Sequence, residues 1–348
     1  MGSSAGWESM DWSLASTWLP MAFFVLMGFA VFAYAVLDGY DLGVGMLMAW
    51  AGEDERDMMV ASIGPFWDAN ETWLVLGVGL MLVAFPEAHG VVLGELYMPV
   101  AIMLCGLTLR GVAFDFRAKA GAGQKKTWDR AFMGGSMLAG FSQGVMCARF
   151  VTGFEAGWLM WMFALAVGAG VCGFYCWLGA GWLAMKCEGP LQQRAVAWGM
   201  SAMSWAAMAI VAVSVATPLA SSWIWEKWFG LSRAWWLAPV PIVTAGLFWL
   251  CRSELKRLGR ELGDGLERLA WTPMACAVGV ATMSFVGLGY SVFPYVAVGQ
   301  LTMWQAAAAP EALMMELWGA GLAIPAILAY TVFAYRVFWG KARPLDYH

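Results

Sequence analysis

Two short stretches place carboxylates inside apolar runs. YAVLDGYDLGVGMLMAW, residues 34–50, carries Asp38 and Asp41, and PFWDANETW, residues 65–73, carries Asp68, Asn70 and Glu71. Asp38 and Asp41 are three residues apart and project from neighbouring positions on one helix face. A carboxylate at the centre of a bilayer costs roughly 2.5–3.5 kcal/mol on insertion scales, so membrane-depth acids face a protein interior or a water-lined path. There they can take up and release protons or bind a coupling ion. The alternative is structural: an acid can cap a helix end, accept bonds from Ser or backbone N–H groups at a break, or lie in the headgroup zone. Both readings stay open for Asp38, Asp41 and Glu71, whereas Asp68, beside Trp67 and two residues before Asn70, fits the path reading better.

The chain around these acids is greasy enough to fix its solvent. It has 348 residues, 61% of them hydrophobic and 13% charged, and a mean hydropathy of +0.66. That composition exceeds what a soluble domain carries and indicates an integral membrane protein. The net charge of -4 argues against a nucleic-acid partner. The first 17 residues hold no Lys or Arg, so no cleaved signal peptide is expected. Nine apolar runs are each long enough to cross a membrane as helices, near 18–50, 60–85, 90–112, 131–150, 158–185, 196–218, 235–251, 272–296 and 313–339. The first would be on the order of 50 Å long as one straight helix, so it must tilt, protrude or break, with Gly39, Gly43 and Gly45 as the places to do so. The polar connections DFRAKAGAGQKKTWDR and CRSELKRLGRELGDGLERLAW are too small to be soluble domains, so the chemistry must sit in or between helices.

With the N-terminus outside, every Lys and Arg except Arg149, Lys227 and Arg233 falls on the inner side, which the positive-inside rule reads as N-out and C-in. On that map the four acids gather toward the inner leaflet. Trp7, Trp12, Trp18, Trp158, Trp161, Trp223, Trp225, Trp228, Trp235 and Trp236 cluster at outer helix ends, where indole rings suit the interface. Ala35, Gly39 and Gly43 recur at helical spacing and let helices approach closely. The seven cysteines make no zinc-like spacing. His89 and His348 are the only histidines, so a haem held by two histidines inside the bilayer is ruled out.

The segments YAVLDGYDLGVGML, SIGPFWDANETWL and RGVAFDFRAK, then FPYV and LTMW, resemble subunit II of the cytochrome bd-type quinol oxidases, in the family's order across nearly the whole chain. The resemblance implies an all-α integral membrane fold of nine transmembrane helices. It forms a single domain over residues 1–340: a four-helix bundle over 18–151, a second over 158–296 and a peripheral helix over 313–339, followed by a cytoplasmic tail at 341–348. It implies a bacterial cytoplasmic-membrane complex with a haem-bearing subunit I that holds two b-type haems, one d-type haem and the quinol site. This chain would hold no haem or metal. A small single-helix accessory subunit, lipids and a bound quinone are further possible partners.

By the same resemblance, protons for reducing oxygen enter from the cytoplasm along a path to which Asp68 and Trp67 belong. Asp38 and Asp41 match the first-helix acids. Arg110, Asp115 and Arg117 match a basic loop motif that a salt-bridged rim explains equally well. Phe66 and Gln305 depart from the family, where some relatives carry His and Asp. A faint echo at an offset of 141, FAYAVLDGYDLG over CGFYCWLGAGWL, suggests two related halves of which one kept its acids. A proton-coupled secondary transporter and a purely structural assembly subunit are the competing classes.

Overall fold

The computed structural model describes residues 10–220, 222–229, 237–261 and 269–343. Trp7, Trp235, Trp236, Arg233, the far part of the second polar connection, His348 and the end of the tail lie outside them, as does the Trp223 side chain. The first apolar run forms α1, Ala15–Leu47, continuous through Pro20 and closed by a 3-10 turn at Met48–Trp50. The second run divides. It gives α2, Glu53–Ile63, and α3, Trp67–Ala84, because Gly64 and Pro65 interrupt the helical hydrogen bonds and Phe66 restarts them, accepting from Asn70 N–H at 2.9 Å.

The third run divides too, into α4, Pro86–Glu95, and α5, Tyr97–Lys119. Then follow α6, Ala122–Val151, α7, Trp158–Lys186, α8, Gly189–Ala220, and the short α9, Ser222–Phe229. They are succeeded by α10, Pro239–Glu261, and α11, Thr272–Val292. An antiparallel pair, β1 at Tyr295–Ala297 and β2 at Leu301–Thr302, leads into one helical turn at Met303–Ala306 and then α12, Pro310–Val337.

Among the described residues six helices are long and apolar enough to cross a membrane: α1, α5, α7, α8, α11 and α12. The acids of α3, the Gly, Ser and Gln residues inside α6 and the charged end of α10 set those three apart. α1 packs on α3, α6 and α7, and α5 lies against α6; α7 packs on α8 and α11, with α10 against both α8 and α11. The main core runs along the α1–α7 seam, with Tyr40, Leu42, Trp177, Leu178 and Leu183 all but excluded from solvent. A Cβ on Gly43 would fall 1.8 Å from the Tyr175 carbonyl oxygen, so backbone touches backbone there and only glycine fits. Outward faces remain apolar: Trp318 and Leu322 of α12 are about 80% exposed, as lipid-facing residues are.

Candidate functional site

On α1, Tyr34, Asp38 and Asp41 follow one another at helical spacing along the inner face, and both acids are fully buried. The counter-charge comes from α5. Arg110, also fully buried, donates through Nη1 to Asp38 Oδ1 at 2.7 Å, and its Nη2 lies 3.3 Å from Glu71 Oε1 on α3. Glu71 keeps 26% of its side chain exposed. The guanidinium also sits 5.5 Å from the centre of the Trp67 ring, which covers it from the α3 side.

Asn70 completes the α3 contribution. Its amide nitrogen donates to Asp41 Oδ2 at 2.7 Å and to the Tyr40 hydroxyl at 2.9 Å. Tyr40 in turn shares a 2.5 Å hydrogen bond with Tyr335 of α12. The break at Gly64–Phe66 is what makes this possible, since it aims the first turn of α3, with Trp67, Asp68, Asn70 and Glu71, at the middle of α1. Asp68 occupies that turn, where the helix N-terminus favours negative charge, and its side chain faces outward, exposed. Asp38 Oδ2, Asp41 Oδ1, Glu71 Oε1 and Arg110 Nε and Nη2 are buried without a protein hydrogen-bond partner.

Arg110 thus belongs to the buried cluster rather than to a rim. Arg117, one face further along α5, does form a rim network: it donates to Asp129 at 2.5 Å and to Asp57 at 2.7 Å, and Lys125 holds the other Asp57 oxygen at 2.7 Å. Partial burial pushes the Asp57 carboxyl up, but the bonds from Lys125 and Arg117 outweigh it and leave the group below its ordinary range. Asp115 is exposed on α5.

Phe66 and Gln305 both have local structural roles, one in packing and one in helix capping. Phe66 is buried between Trp182, Tyr335 and Phe338. Gln305 accepts from Thr302 N–H at 2.9 Å and closes a capping box. Among the described residues no three His, Cys, Asp or Glu side chains gather as a metal site would need. Asn70, Tyr34, Tyr40 and Tyr335 are the participants that sequence reasoning did not assign; Tyr34 does stand one helical turn before Asp38 on α1, whereas Tyr335 is brought in from the far end of the chain.

Comparison with known proteins places this geometry in context. A family profile described as "Cytochrome bd terminal oxidase subunit II" matches residues 19–338. The chain is 40% identical to cytochrome bd ubiquinol oxidase subunit 2 of Bacillus subtilis over 126 residues, 35% of this chain and 37% of that one. It is 26% identical to cytochrome bd-I ubiquinol oxidase subunit 2 of Escherichia coli over 372 residues, covering 94% of this chain and 96% of the relative. Its fold is similar to a chain of the bd oxidase from Geobacillus thermodenitrificans, with a TM-score of 0.73 at 15% identity, over 92% of this chain and 98% of the other.

Proposed function

Because the chain belongs to the cytochrome bd terminal oxidase subunit II family and is a membrane-embedded subunit of a quinol oxidase complex, we propose that it scaffolds a haem-bearing subunit I and carries protons to it from the cytoplasm. The proposed topology is nine membrane-spanning helices in two four-helix bundles plus a peripheral helix. α1, α3, α5 and α6 make the first bundle, α7, α8, α10 and α11 the second, and α12 stands outside, with the N-terminus outside the cell and the C-terminus inside. The packing of α1 on α3 and α6, and of α10 on α8 and α11, supports that grouping.

The carrying observation is a graded series of acids. Asp68 is exposed at the start of α3, Glu71 is partly exposed one turn on, and Asp38 and Asp41 are fully enclosed. In a membrane interior an uncompensated carboxylate is costly, and here three carboxylates face one guanidinium. The surplus negative charge is offset by protons held among them, which is the condition for passing protons on. Asp68 receives a proton at the surface, Glu71 carries it to the edge of the guanidinium, and Asp41, held by Asn70, is the innermost acceptor. Trp67 shields the guanidinium and keeps the exchange beside Asp68 and Glu71.

Haem is implied for the complex, and its chemistry is the electron transfer that reduces oxygen. Among the described residues His89, on the short α4, is the one histidine, so no pair of histidines is there to hold a haem. That supports haem in the partner, two b-type and one d-type, with quinol oxidised there. A single-helix accessory subunit, lipids and a quinone remain part of the proposed assembly. Arg110, Asp115 and Arg117 act as structural groups in this reading, Arg110 by holding Asp38.

The test is Asp68→Asn and Glu71→Gln in the assembled complex. The haem spectrum is expected to stay and quinol-driven oxygen consumption to fall at least several-fold. Normal turnover in both variants would leave these acids structural.

A further inference from the structure

The break between α2 and α3 leaves a backbone carbonyl to be answered from another helix. In an unbroken helix the Phe66 N–H would bond the Ser62 carbonyl, but it goes to the Ile63 carbonyl at 2.9 Å. The Ser62 carbonyl accepts instead from Trp182 Nε1 of α7, at 3.3 Å. The Trp182 ring also stacks on Tyr40 of α1 and meets the Phe66 ring edge-on, with 4.2 and 5.4 Å between ring centres. Trp182 therefore holds the chain on both sides of Gly64–Pro65. At the sequence offset of 141 it stands where the first half has Asp41.

Four residues on, on the same face of α7, Lys186 is buried. Its ammonium lies 5.2 Å from the centre of the Trp182 ring and 5.5 Å from that of Phe66. It donates to the carbonyls of Phe338 at 2.8 Å and Gly340 at 3.0 Å, at and just past the end of α12, where the helix dipole favours a cation. Gly340, with φ +101°, turns the chain back. Ala342 N–H then reaches the Lys186 carbonyl at 2.8 Å, and Lys341 Nζ reaches the Cys187 carbonyl at 3.0 Å. The Tyr335 and Phe338 rings carried by this end of α12 close on Phe66, at 4.6 and 5.9 Å.

We propose that Lys186, with Trp182, is a positioning residue: it fastens the α2–α3 break to α7 and to the end of α12, and so fixes how the start of α3 presents Asp68 and Glu71. Phe66 directly precedes Trp67, so a shift of its ring carries the first turn of α3 with it. Glu71 meets Arg110 at 3.3 Å, a contact that a small displacement of that turn opens.

The inference rests on reading these acids as a proton path, and turnover of the intact complex in two backgrounds tests it. Lys186→Met keeps an apolar stem of similar length without the charge. It is expected to leave the haem spectrum in place and to lower quinol-driven oxygen consumption several-fold. Added to Asp68→Asn/Glu71→Gln, it should lower the remaining rate by less than twofold, because the groups it places are gone. The same several-fold loss in both backgrounds overturns the proposal. So does wild-type turnover in Lys186→Met with only the 338–342 segment opened to protease, which would make the contact a clamp on that segment alone. Should Lys186→Met not assemble, Trp182→Phe, which keeps a ring and loses the bond to Ser62, decides by the same comparison. Normal turnover in both Asp68→Asn and Glu71→Gln defeats the proton path itself and this inference with it. Slowed acid variants beside a wild-type Lys186→Met defeat only the positioning role.

Discussion

Arg110 and Asp38 meet at 2.7 Å with both side chains wholly excluded from solvent, joining α5 to α1 across 72 residues of chain. Removing one partner strands the other as a buried charge. Such a break costs about 3–5 kcal/mol, whereas replacing both by apolar groups of similar volume can be neutral. Arg110→Leu is therefore expected to abolish recovery of the assembled complex. The double variant Asp38→Leu/Arg110→Leu should recover a large part of it, scored by haem-containing complex purified per unit of membrane. A double variant no better than Arg110→Leu would mean that the pair is not what joins the helices.

The α1–α7 seam is equally exacting for a different reason. A Cβ at Gly43 would overlap the Tyr175 carbonyl, and a backbone atom cannot rotate away as a side-chain tip can. Gly43→Ala is expected to lower the thermal midpoint of the complex by several degrees. Gly246→Ala on α10, where an added Cβ meets nothing within 4 Å, should leave it unchanged or raise it slightly through helix propensity.

Part of this site was readable from the chain. The three-residue spacing of Asp38 and Asp41 puts them on one helix face whatever surrounds it, and the motif order pointed to the family. Pro65 carried the signal for the break before α3, yet the surrounding apolar run read as continuous, because hydropathy averages over a single turn. Arg110 and Arg117 sit seven residues apart on α5 and look alike in sequence. One is sealed against Asp38 and the other meets Asp57 and Asp129 at the rim, a difference set by where α1 and α2 pass α5. Tyr34, Tyr40 and Tyr335 were hidden because tyrosine is common at membrane interfaces, and only the packing of α12 on α1 brings Tyr335 to Tyr40.

That last contact makes its own prediction. Tyr335→Phe removes the 2.5 Å bond to Tyr40 while keeping the ring against Phe66. A net loss of about 1 kcal/mol follows for one hydrogen bond. It should appear as easier protease nicking near the C-terminal end of α12, with haem content unchanged. Tyr40→Phe, which also loses the bond from Asn70 at 2.9 Å, should cost more, and adding Tyr335→Phe to it should cost little further. Additive losses would place the two hydroxyls in separate interactions.

The rim supplies the pH dependence. Partial burial raises Asp57, but Lys125 and Arg117 together hold it below its ordinary range. A carboxyl depressed in the folded state contributes stability that is present above its unfolded value and lost as pH falls through its folded value. Acidifying from neutrality to below the ordinary carboxylate range should therefore weaken the joint between α2, α5 and α6. The side chain is half exposed, so the contribution is small and screened by salt. Thermal midpoints measured against pH at low salt are expected to fall more steeply on the acid side for the wild-type chain than for Asp57→Asn. The two curves should converge at high salt. Parallel curves at low salt would show that the Asp57 contacts do not couple to folding.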